Sequence, residues 1–166
     1  ISGAAIHKGV EAGVLLGKGE AVPAALLYLL AIGEEAVARY GRGVERALMG
    51  APNWLFEHGT AEATVELELP EEGVKVVGHP DVWYMDEEGV HVVEVKSTGK
   101  KPDEELEKYQ VWNTQPRYYA AMLESQYRIP AYYRHVVLGT SVMAGVGQQL
   151  AIAGVKEETL IEMRAI

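Results

Sequence analysis

The sequence predicts a mixed α/β fold of the α+β kind, with a helical N-terminal part followed by a sheet-containing core, on three observations. Residues 1–50 carry helix-compatible, alanine- and leucine-rich stretches and no alternating pattern. Between residues 63 and 95, short valine-rich or period-two segments are cut by Gly, Pro and acidic turn residues. A helix-compatible stretch over residues 109–127 then precedes another β-rich run at 132–138. At 166 residues the chain suits a single domain spanning 1–166, helical over 1–50 and with its core over 60–166.

The elements follow in order. Residues 1–19 read as a short helical segment interrupted by Gly9, Gly13, Gly17 and Gly19, each costly inside a helix. Pro23 suits the first turn of a helix, and the apolar run 22–32 that it opens reads as a buried helix, continuing with a break near Gly33 or Gly41 to Met49. After a loop punctuated by Gly50, Pro52, Asn53 and Gly59, residues 63–69 alternate as a half-buried strand. Residues 73–78, 81–85 and 90–95 extend this into an antiparallel meander, with 86–89 as a turn. Pro116 marks the start of, or a kink in, the next helix. Residues 132–138 read as a strand, and 148–152 and 159–163 as further short strands or a strand and a helix.

Composition excludes several functions. With no cysteine, disulfides, thiolate zinc and iron-sulfur clusters are ruled out, and a metal has to be held by carboxylate, imidazole, carbonyl or water. That set favours magnesium or manganese. A net charge of −9 argues against a protein that coats nucleic acid through general basicity. The run 22–32 is shorter than the ~18–20 residues of a membrane span, and no leader pattern opens the chain, so a cytoplasmic location is expected. Residues 13–18 fall one short of a phosphate-binding loop, and Gly19 stands where Ser or Thr is needed, so no nucleotide cofactor is expected.

One constellation carries chemistry. If 86–89 is a four-residue hairpin loop, Met85 faces Val90 and Asp81 lies opposite Glu94, with Cβ atoms ~5 Å apart on one face. Two opposed carboxylates destabilise a sheet unless a cation sits between them. Lys96 emerges on the same face ~7 Å along the strand. Two acids and an ammonium together suit metal-assisted phosphodiester hydrolysis, in which the carboxylates hold the ion and the lysine orients water or stabilises developing charge. The alternative is an exposed Glu94–Lys96 pair with Asp81 as a turn residue.

Gly78-His79-Pro80-Asp81, then Glu94-Val95-Lys96-Ser97 after a short hairpin, then Gln115 and Tyr119 at Q-x-x-x-Y spacing, resembles the RecB-like branch of the PD-(D/E)XK nucleases. His7 and Glu11 look like that branch's early H-x-x-x-E motif, so the resemblance spans residues 3–119. It implies a restriction-endonuclease-like core, a twisted mixed sheet flanked by helices. It further implies metal ligation by His7, Asp81, Glu94 and the Val95 carbonyl, a catalytic Lys96, and Gln115 and Tyr119 supporting the site or touching substrate. Glu11, one turn from His7, either orients the imidazole or is a solvated charge. Iron-sulfur clusters of CRISPR-associated relatives have no cysteines to hold them here.

The resemblance implies a deoxyribonuclease dependent on Mg2+ or Mn2+, exonucleolytic by analogy, acting on single-stranded DNA or duplex ends, with a helicase or other repair protein supplying any unwinding. Alternatives are a structure-selective endonuclease of the resolvase type, or a DNA- or partner-binding module without turnover. Lys100, Lys101, Arg117, Arg128 and Arg134 are candidate phosphate neutralisers, with surface solvation as the default for each.

Overall fold

The computed structural model describes residues 1–57, 59–61, 64–69, 71–102, 104–106, 108, 115–141 and 151–152. Helix α1 (Ser2–Leu16) is continuous despite Gly9 and Gly13, contrary to the interrupted segment expected. Both glycines are contact points. A Cβ on Gly9 would lie 2.8 Å from the Ala21 carbonyl oxygen, and one on Gly13 2.6 Å from the Phe56 ring. The propensity lost at these positions is offset by close approach of the neighbouring backbone and ring.

Helix α2 (Ala21–Ile32) has Pro23 in its first turn, and Gly33, at φ 152°, separates it from α3 (Glu34–Met49). The break thus falls at Gly33 and not at Gly41. Ala21, Ala25 and Leu29 form a buried stripe at helical spacing, whereas Leu27 and Leu30 are 66% and 53% exposed. The buried helix expected from composition is therefore buried on one face only. The Lys18 ammonium donates to the carbonyls of Met49 and Ala51 and to Asn53 Oδ1, placing a cation where α3 ends and its carbonyls lack partners.

Strands β1 (Thr60–Ala61), β4 (Val82–Met85), β5 (Val90–Thr98), β6 (Ala131–Gly139) and β7 (Ala151–Ile152) make a mixed sheet in the order β1-β4-β5-β6-β7. Among the described strands only β5 and β6 run parallel, joined by a crossover that contains α4 (Gln115–Tyr127), with Pro116 in its first turn. β2 (Val65–Leu69) and β3 (Val74–Gly78) pair separately, so the expected meander is divided between two sheets. The division falls at His79-Pro80-Asp81, where proline cannot donate to a ladder.

Helices flank both faces of the mixed sheet. Val93 and Val95 pack with α1, α2 and α3, while Val90 and Val92 pack with α4 and with Val65 and Leu67 of the small sheet. This is a mixed α/β architecture consistent with a restriction-endonuclease-like fold. Residues 109–114, 148–150 and 159–163, read above as helix and strand, lie outside the described residues. Among the described residues, no helix is long and apolar enough to cross a membrane.

Candidate active site

The hairpin of β4 and β5 sets the geometry. Asp86 N–H donates to the Gly89 carbonyl at 2.9 Å, closing the turn, and Val82 pairs with Val93 and Met85 with Val90. Continuing that register sets Asp81 against Glu94 and Pro80 against Val95. Pro80 has no N–H, so the Val95 carbonyl lacks its ladder donor. His7 Nε2 approaches it instead, at 2.9 Å. The Val95 N–H donates to Asp81 Oδ2 at 2.8 Å.

His7 is aimed by its own helix. Its Nδ1 lies 3.0 Å from the Gly3 carbonyl one turn back, and its Nε2 lies 3.2 Å from Asp81 Oδ2 as well as close to the Val95 oxygen. Both ring nitrogens therefore face acceptors, which suits the imidazolium. The Asp81 hydrogen bond and charge, against the opposing effect of burial, raise its pKa to about 9.

The two carboxyls divide a single charge. Burial would raise Asp81, but the His7 hydrogen bond and charge and the Val95 N–H outweigh it and hold the group below the ordinary carboxylate value. Glu94, only 4% exposed, is pushed up to about 8 by burial and by the charge of Asp81, to which it is hydrogen-bonded. Near neutral pH the cluster thus consists of imidazolium, carboxylate and carboxylic acid, with protons supplying the compensation that two opposed anions need.

Lys96 stands two residues beyond Glu94 on β5, half-buried, and its positive charge favours ionised Glu94. His135, paired with Glu94 across the parallel β5–β6 ladder, is 1% exposed, and burial together with Lys96 lowers its pKa to about 4. It is a neutral imidazole beside the acid pair, and it was not legible in the sequence, since only the register of the crossover strand brings it there. On α4, the Tyr119 ring packs against Gly78, where a Cβ would collide with it, and Gln115 begins the helix in an exposed position.

The structure brings His7, Asp81, Glu94 and Val95 together, with Lys96 adjoining and Tyr119 against the strand that leads into Pro80-Asp81. Glu11 is not part of this group. Its carboxylate faces Lys8 at 3.5 Å, and the imidazole nitrogen it could have oriented is held by Gly3. His79 is exposed and lies 3.2 Å from Thr64 Oγ1. Glu66 pairs with Lys75 at 2.9 Å on the surface of the small sheet. Arg134 stacks on Trp54 on the opposite face of the mixed sheet.

The donor set fits a divalent cation. An imidazole nitrogen, a carboxylate oxygen and a backbone carbonyl converge within 3.2 Å of His7 Nε2, and Glu94 adjoins through its bond to Asp81. A nitrogen and oxygens are donor types that a divalent cation takes. Asp86, Glu88 and His91 at the hairpin turn form a second group, with ligand atoms within 4.8 Å of one another. There, His91 Nδ1 accepts from Arg134 and Nε2 donates to Asp86, so the imidazole lone pair is already engaged.

A mixed sheet bearing an acid before one hairpin strand and an acid and a lysine on the next, with helices on both faces, defines a restriction-endonuclease-like protein. The chain belongs to the PD-(D/E)XK nuclease superfamily, whose family model matches residues 2–157. Among solved structures, the crystal structure of SSO0001 aligns with a TM-score of 0.43 and 14% identity, over 96% of this chain and 68% of that one. A comparison with curated proteins gives no match.

Proposed function

We propose that this chain is a RecB-like deoxyribonuclease that requires Mg2+ or Mn2+ and degrades single-stranded DNA or duplex ends in DNA repair or recombination. The observation that carries the reading is the convergence of His7 Nε2 on Asp81 and the Val95 carbonyl, with Glu94 hydrogen-bonded to Asp81. A bound divalent ion supplies Lewis acidity toward a phosphoryl oxygen and toward water. His7, Asp81, Glu94 and the Val95 carbonyl hold it, and Asp81 is oriented for this by the Val95 N–H. Lys96, on the same face as Glu94, positions the attacking water or neutralises charge that develops on the phosphate. Tyr119 and Gln115, one turn apart on α4, brace the strand entering the site or contact the substrate backbone.

The test is incubation of end-labelled linear and covalently closed circular DNA, single- and double-stranded, with Mn2+, Mg2+ or EDTA. Metal-dependent loss of linear DNA alone, abolished in Asp81→Ala and Lys96→Ala, is the expected result. Cleavage of circles would replace the exonuclease with an endonuclease, and no cleavage of any substrate would overturn the reading.

A further inference from the structure

Three arginines of α3, Arg39, Arg42 and Arg46, line one cavity of about 340 Å³ together with Ser2 and Thr140. Their i, i+3, i+7 spacing sets them on one helix face. No carboxylate lines the cavity, and among the described residues none of the three forms an ion pair. In a chain of net charge −9, this is a local concentration of cations that carboxylates leave uncompensated.

The cavity is joined to the acid cluster on two sides. Arg46 Nη1 donates to the Thr140 carbonyl at 2.9 Å, and Thr140 N–H donates to the Thr98 carbonyl, two residues beyond Lys96 on β5. Gly43, between the arginines, lets Thr140 come close, since a Cβ there would lie 3.2 Å from the Thr140 oxygen. Ser2 adjoins Gly3, whose carbonyl holds His7.

We propose that this cavity binds a phosphate group of the same nucleic-acid strand that enters the acid cluster, a few nucleotides from the scissile bond. Arg39 and Arg42 supply forked donors, Ser2 supplies a hydroxyl, and Arg46 with Thr140, whose own hydroxyl donates to the Thr98 carbonyl, holds the wall. The proposal rests on the nuclease reading above. The phosphate is either a terminal monoester or an internal diester, and both present charged non-bridging oxygens to the arginines.

The experiment measures anisotropy of 3′-fluorescein oligothymidylate in EDTA across a salt series. It uses 5′-phosphorylated and 5′-hydroxyl forms, with a single-stranded circle as competitor. The proteins are wild type, the double variant Arg39→Gln/Arg42→Gln, and Lys75→Gln as a remote control, all checked for equal melting temperature. The double variant is expected to bind about tenfold more weakly and to lose about one unit of salt slope, while Lys75→Gln matches wild type. Loss confined to the 5′-phosphorylated strand identifies a terminal phosphate, and equal loss on the circle an internal one. Wild-type affinity and slope in the double variant would overturn the cavity and leave the nuclease reading intact. Arginine-dependent binding by a wild type that cleaves nothing with Mn2+ would overturn the nuclease reading alone.

Discussion

The β4–β5 ladder ends at Val82 and Val93, and Pro80, which its extended register would set opposite Val95, has no N–H to offer the Val95 carbonyl, which meets His7 Nε2 at 2.9 Å. A backbone group becomes a candidate metal ligand because its neighbour cannot satisfy it. Restoring the donor should close the position. Pro80→Ala is predicted to keep the fold and weaken Mn2+ binding about tenfold, the loss typical of disturbing a ligand's surroundings. Calorimetric titration giving unchanged affinity would count against this account of the carbonyl.

Removing Lys96 and removing His7 should have separable effects. Lys96→Ala is predicted to lower kcat by about 10²–10³ while retaining stabilisation by Mn2+, because the ammonium acts on the reacting phosphate and not on the ion. His7→Ala should abolish the Mn2+-induced rise in melting temperature. Parallel melting curves and turnover assays would expose any reversal of these roles.

The metal-free protein should lose stability as pH rises from about 6.5 to 9. His7 has a folded pKa raised to about 9, so its contribution is complete below its ordinary value near 6.5 and disappears as pH passes about 9. Glu94 acts in the same direction, since its raised value of about 8 means the fold increasingly disfavours its ionisation above the ordinary value near 4.5. Melting temperatures in EDTA should fall across this window. A flat profile would show that neither proton is held as described.

Gly9→Ala is a test of helix packing in which two effects compete. Alanine gains about 1 kcal/mol of helix propensity over glycine. The new Cβ would meet the Ala21 carbonyl at 2.8 Å, a backbone atom that cannot swing aside, and overpacking of this kind costs about 1–3 kcal/mol. A net loss of about 1 kcal/mol is expected by denaturant titration. Gly19→Ala, with nothing within 4 Å of its Cβ, should be near neutral.

Local spacing made Asp81 opposite Glu94 readable in the sequence, because a four-residue loop at 86–89 sets the hairpin register by counting alone. The strands around it were readable for the same reason, as period-two valine patterns between turn residues. What could not be read depended on distant chain. His135 reaches Glu94 only through the parallel register set after α4. The exposure of Leu27 and Leu30 is decided by which face of an almost wholly apolar helix packs inward. The continuity of α1 through Gly9 and Gly13 depends on Leu48, Ala21 and Phe56 filling the space that side chains there would take. Gly3, and not Glu11, orients His7, because a carbonyl one turn back already lies within reach of the imidazole.

On the metal-dependent reading, the protonation that burial favours at Glu94 beside Asp81 separates two events that many metalloproteins must perform together. A cluster that balances its own charge with protons can be assembled before any ion arrives, so the chain need not wait on metal supply to reach its fold. Loading then becomes an exchange at a finished site, in which the incoming cation displaces hydrogen ions into solution. The lower the ambient pH, the more strongly those hydrogen ions contend for the same donors.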